Sequence, residues 1–136
     1  MDPELKVNTV FISAGANSVL NAAHHNMHLG LTLFVSANLV HVASVQHSRI
    51  LFPLHAHSER VNTARWIFSP SKPNRAAIAS VSVDRSIAVW RCEGEPSEPR
   101  SWSFSTRANA HTATINYMAT LEDKHGTTIV TACADG

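Results

Sequence analysis

The sequence predicts an all-β chain, part of a β-propeller with about two and a half four-stranded antiparallel blades. Two observations predict it. The first is a series of short apolar runs between Leu54 and Cys92, broken by turn residues: Val61-Asn62 and Trp66, then Ser69-Pro70, then Ile78 to Asp84, then Ile87-Ala88-Val89-Trp90. Runs rich in Val and Ile that alternate with Pro, Asn and Asp argue for successive antiparallel strands. The second is recurrence. Ala110-His111 precedes Ile115-Asn116 at the spacing by which Ala56-His57 precedes Val61-Asn62, and Ile129 to Asp135 repeats Ile78 to Asp84.

The repeated positions carry polar side chains that suit one structural task. An Asp in the turn between two strands can accept from nearby backbone N–H groups. Drawn inward, its carboxylate is costly unless hydrogen-bonded. His57, Ser80, Asp84 and Trp90 are placed to form such a network, and His111, Thr131 and Asp135 repeat it, with Thr131 standing where Ser80 stands, four places before the Asp. This pattern resembles the WD repeat, whose period is ~40–45 residues. In that family a His from the preceding loop, a Ser or Thr and a Trp indole surround the Asp. A His, Asp and Ser together also suit a hydrolase, but that chemistry needs an exposed nucleophile and an oxyanion hole. The spacing favours architecture, and no catalytic residue, cofactor or metal is expected.

Composition sets the class. The chain has 136 residues, 44% of them hydrophobic, with eleven basic residues against ten acidic ones. That is enough apolar content for one globular core. The Arg residues are scattered, so the sequence carries no nucleic-acid footprint. Cys92 and Cys133 read as small buried hydrophobes rather than a redox pair. No secretory leader and no apolar run of ~20 residues is present, which points to a reducing compartment, cytoplasm or nucleus.

Taken in order, residues 1–6 form a polar tail and 7–136 the N-terminal part of the propeller. Val7 to Ser13 reads as a strand without a neighbouring hairpin partner, expected to close the last blade. A first blade spans 17–54, with strands at Ser18 to Ala23, Leu31 to Ser36, Leu39 to Val45 and Arg49 to Leu54. Asn38 stands there in the place of Asp84 and no Trp follows, so packing alone is expected to hold this blade. His24, His25 and His28 cluster, but His24 and His25 would point to opposite faces of a strand, and a zinc site wants four tetrahedral ligands. His41, His47 and His55 read as loop or surface residues.

The second blade spans 57–105, with a solvated turn at Ser69 to Arg75 and Trp102 to Ser105 as its outermost strand. The hydrophilic loop Glu93 to Ser101 stretches the His57-to-His111 interval beyond the usual period. A partial blade covers 111–136. It stops at Asp135-Gly136, a strong hairpin-turn pair, which leads to the expectation that the chain is the N-terminal piece of a longer protein.

A narrower resemblance rests on Val10-Phe11-Ile12-Ser13-Ala14-Gly15-Ala16-Asn17, on Asn21-Ala22-Ala23, and on His57-Ser58-Glu59-Arg60-Val61-Asn62 with Arg65-Trp66. These stretches resemble the start of the second, WD-repeat subunit family of the Elongator complex. The chain departs from that family at His24 to Leu29, where a Trp-containing strand end is common, and at Arg91, where an Asp is frequent. The resemblance implies a non-catalytic scaffold of two propellers. Its partners would be the catalytic and large scaffold subunits, with tRNA met only indirectly or weakly and no membrane or small-molecule substrate involved. The assembly modifies wobble uridines of tRNA and is linked to transcription elongation, in cytoplasm and nucleus. An unrelated WD adaptor, such as a ubiquitin-ligase substrate receptor or signalling platform, is the other reading.

Overall fold

The computed structural model describes residues 16–19, 21–68, 75–109 and 111–135. The strand expected at 7–13 and most of the turn at 69–75 lie outside them. Among the described residues there is no α-helix, and ten strands form three antiparallel sheets. The first sheet runs β1 (Ala23–Asn26), β2 (Leu31–Ser36), β3 (Leu39–Ser44) and β4 (Arg49–His55), paired in chain order. The second runs β5 (Val61–Ile67), β6 (Ala77–Ser82), β7 (Ile87–Cys92) and β8 (Trp102–Ala108) in the same way. The third pairs β9 (Ile115–Asp123) with β10 (Gly126–Cys133). Successive four-stranded meanders whose first strands face one another are compatible with a β-propeller-like arrangement.

Alternation along the strands explains the stacking. Leu31, Leu33 and Val35 of β2 are buried, with half-buried Thr32 and Ser36 between and beyond them. In an antiparallel strand every second side chain shares a face, and this face joins Val40, Val42, Val61, Trp66, Ile78 and Trp90 in one cluster between the first two sheets. A second cluster (Ala79, Val81, Ile115 and Met118) joins the second sheet to the third. β5 packs on β1 and β2, and β9 packs on β5 and β6. At ~25 cal/mol per Å² of apolar surface removed from water, these two seams supply the main force that stacks the sheets.

The first strand differs from its expected span. It begins at Ala23 instead of ending there. Asn21 adopts φ 55, a left-handed conformation outside the extended range of a regular strand, and Asn17 is occupied upstream by hydrogen bonds to Val35 and Ala37. His24 and His25 therefore lie within β1, with His24 half-buried and His25 exposed.

The expectation that packing alone holds the first sheet is also corrected. Its β2–β3 turn is clamped by Asn17, whose Nδ2 donates to the carbonyls of Ala37 and Val61, both at 2.9 Å, while its Oδ1 accepts from Ala37 N–H at 2.8 Å. Asn38 Nδ2 donates to the His57 carbonyl at 3.1 Å, and Val61 N–H to the Ala37 carbonyl at 2.9 Å. A single amide thus holds a turn and ties it to the next sheet.

Candidate functional site

The polar corner of the second sheet is built by three short segments. The loop before β5 carries His57 and Ser58, β6 carries Ser80 and Ser82, and the turn 83–86 carries Asp84 and Ser86. That turn reverses the chain with Arg85 at φ 69. The unusual dihedral therefore falls on Arg85, not on Asp84. Asp84 itself makes an Asx-type turn, its Oδ1 accepting from Ser86 N–H at 3.0 Å.

His57 and Asp84 meet inside this corner. Nδ1 of His57 lies 3.2 Å and 3.3 Å from the two carboxylate oxygens, 2.9 Å from Ser86 Oγ, and the two side chains are only 1% and 4% exposed. Nε2 lies 2.6 Å from Ser80 Oγ. An ionised carboxylate only accepts, so Nδ1 carries a proton and donates to it, while Nε2 shares a hydrogen bond with the Ser80 hydroxyl. Asp84 accepts further from Ser58 N–H at 2.9 Å and from the Ser86 hydroxyl. Burial alone would raise its pKa. The Ser86 and Ser58 hydrogen bonds and the neighbouring His57 overcome that and bring it down to about 2. Among the described residues no buried side-chain nitrogen or oxygen lacks a partner, which is what a buried polar network needs to be stable.

Ser80, His57 and Asp84 are connected in the order of a hydrolase triad. The hydroxyl that would attack is sealed: Ser80 is 0% exposed. No substrate carbonyl reaches it in this structure, and the bonds serve to fix the loop before β5 against the turn 83–86. Trp90 enters differently from the expected indole donor. Its ring stands edge-on to His57 at 6.4 Å and 77°, with Phe104 on its other side at 6.2 Å. It walls the corner by packing.

The third sheet carries a reduced copy. His111 Nε2 lies 2.7 Å from Thr131 Oγ1, matching His57 and Ser80. Thr112 bonds Asp135 as Ser58 bonds Asp84. Backbone follows suit: Val83 N–H donates to Arg60 O and Ala134 N–H to Thr114 O, both at 3.0 Å. The carboxylate of Asp135 is exposed, and the Cys133 thiol and Thr112 hydroxyl hold it below the usual range, with His111 a lesser contributor.

Several expectations change here. Cys133 is half-buried and bonds Asp135 through its thiol, so it is not a plain hydrophobe; it stands at the position of Ser82, whose hydroxyl accepts from Asp84 N–H. Cys92 is buried, and burial pushes its thiol pKa up. Neither cysteine is in a disulfide. His41 lies in β3 and not in a loop; half-buried, it stacks on Phe34 with ring centroids 4.8 Å apart. His47, by contrast, lies in the exposed turn after β3, its Nδ1 3.0 Å from Ser44 Oγ. Among the described residues no group of three or more His, Cys, Asp or Glu is placed to hold a metal ion, His24 and His25 included. No helix there is long and apolar enough to cross a membrane.

Sequence reasoning missed Ser86, Ser58 and Asn17. The signal for the first was available: a hydroxyl two places after Asp84 is the natural Asx-turn partner. Nothing local marks Asn17, whose partners are distant in the chain. A scan against protein-family models finds no match, and a search of curated proteins finds no similar sequence.

Proposed function

We propose that the chain is part of a WD40-type β-propeller that serves as a non-catalytic scaffold of the Elongator complex, supporting wobble-uridine modification of tRNA. The observation that carries the scaffold reading is the sealed corner of His57, Ser80 and Asp84, repeated in part by His111, Thr131 and Asp135. Titratable groups spent on holding loops to turns leave function to the surfaces of the sheets.

The stacking supports the propeller reading. Ile67, Ala79 and Val81 line the face of the second sheet that the third sheet covers. Their counterparts by the repeat, Leu121, Val130 and Ala132, together with Tyr117, form an exposed face on the third sheet. A further sheet seated there would continue the series, as blades of a propeller do. The Elongator assignment rests on the sequence alone, on residues 10–17, 21–23 and 57–66. Under it the partners are the catalytic and large scaffold subunits, in cytoplasm and nucleus.

Affinity purification of the full-length protein, with its associated proteins identified by mass spectrometry, tests this. Recovery of the other Elongator subunits is the expected result. Ubiquitin-ligase components without any Elongator subunit would replace it with the adaptor reading.

A further inference from the structure

His24 occupies a junction that its sequence context does not reveal. β5 is the edge strand of its sheet, so part of its backbone N–H groups point away from β6 and need other acceptors. The Trp66 N–H finds one in the side chain of the neighbouring sheet: it donates to His24 Nδ1 at 3.0 Å. In return the Trp66 indole N–H donates to the His24 carbonyl at 3.1 Å. The imidazole edge rests on Phe68, centroids 6.5 Å apart at 88°. Trp66 is 1% exposed and belongs to the cluster that joins the two sheets.

A ring nitrogen accepts only while it is bare. In the imidazolium both nitrogens are donors, so a proton on Nδ1 would set N–H against N–H. We propose that protonation of His24 releases the Trp66 amide and loosens the seam between the first and second sheets, which makes that seam a pH-responsive element of the fold.

The surroundings decide where this happens. From β5 the Arg65 guanidinium, which donates to Tyr117 Oη at 3.4 Å, acts on the ring through its charge, and so from β1 itself does the neighbouring His25. β2, the strand paired with β1, contributes no titratable side chain along Leu31–Ser36. From β9 the Glu122 carboxylate reaches the same region but accepts from Phe68 N–H at 2.9 Å. Burial first, then Arg65 and His25, hold the His24 pKa below its ordinary 6.5. The ring is therefore neutral near pH 7, and the bond to Trp66 is intact there.

A ¹⁵N NMR titration of the intact chain from pH 8 to pH 5, following the His24 ring nitrogens and the Trp66 amide and indole signals, tests the proposal. The expected result is a His24 midpoint below 6.5, with the Trp66 amide shifting and losing hydrogen-exchange protection over the same range. A midpoint at or above that value, or a Trp66 amide indifferent to His24 titration, would overturn it. His24→Asn keeps an acceptor oxygen that does not titrate. It should remove the pH response of Trp66 while leaving the amide bonded at pH 7, and a response that persists in this variant counts against His24. Should the variant fail to fold, the wild-type titration decides alone.

Discussion

The side-chain amide of Asn62 donates to the backbone carbonyl of Ile115 at 2.7 Å, across the seam between the second and third sheets. Both residues are buried, at 3% and 0% exposure. Asn17 does the same one sheet earlier, donating to the carbonyl of Val61, and Val61 is the counterpart of Ile115 in the repeat. The amides of Asn17, ahead of β1, and of Asn62, in β5, thus each reach forward to the first residue of a following sheet. Apolar contact alone is non-directional; these bonds set where along the seam the next sheet begins.

Asn62→Ala should therefore destabilise the fold by about 1–3 kcal/mol, because the Ile115 carbonyl is left buried without that donor. Asn116, its counterpart in the third sheet, is exposed, and Asn116→Ala should stay within about 0.5 kcal/mol. Urea unfolding of the two variants checks this. Equal effects would mean that the Asn62 bond does not discipline the seam.

Asp84→Ala is expected to cost about 1–3 kcal/mol, since the buried His57 Nδ1 and the Ser58 N–H both lose an acceptor. Ser86→Ala should cost about 1.5–3 kcal/mol, as a hydroxyl that donates to the ionised Asp84 carboxylate is removed. An unchanged thermal midpoint for Asp84→Ala would strip the network of its structural role.

The same carboxylate predicts an acid limb. Its pKa is brought down from 3.8 to about 2 on folding. The folded state then binds fewer protons than the unfolded chain between those values, so stability rises with pH across that range. The contribution is whole above pH 3.8 and is lost as pH falls toward about 2. Stability measured from pH 5 to pH 2 should show this limb in the wild type. In Asp84→Asn the limb should flatten.

Met118 is 0% exposed and packs with Ala79, Val81 and Ile115. Met118→Ala should lose about 2–5 kcal/mol through transfer and cavity terms together. Met118→Leu, of similar volume, should lose less than about 1.5 kcal/mol. Chemical denaturation with the slope unchanged is the measurement. A small loss for the Ala variant would show that the second seam is loosely filled.

Strand positions were legible because they rest on local pattern. Leu31, Leu33 and Val35 share one face, and β2, β3 and β4 begin and end within a residue of where the apolar runs place them. The start of β1 was not legible, because Asn21 was not marked by its neighbours as left-handed. The contacts that Asn21 makes, with Thr63 Oγ1 and Tyr117 Oη, come from strands that arrive later in the chain.

The sequence by itself determined the all-β class, the turn chemistry at Asp84 and the pairing of His57 with Ser80 and Asp84. Those follow from residue type at fixed offsets along one chain. The tertiary structure alone decided that the Ser80 hydroxyl is sealed, that His24 serves Trp66, that His41 stacks on Phe34, and that Asn17 and Asn62 bridge sheets. Each of these depends on which side chains two sheets present to each other once stacked, and a one-dimensional pattern fixes the face a residue shares but not what lies opposite it.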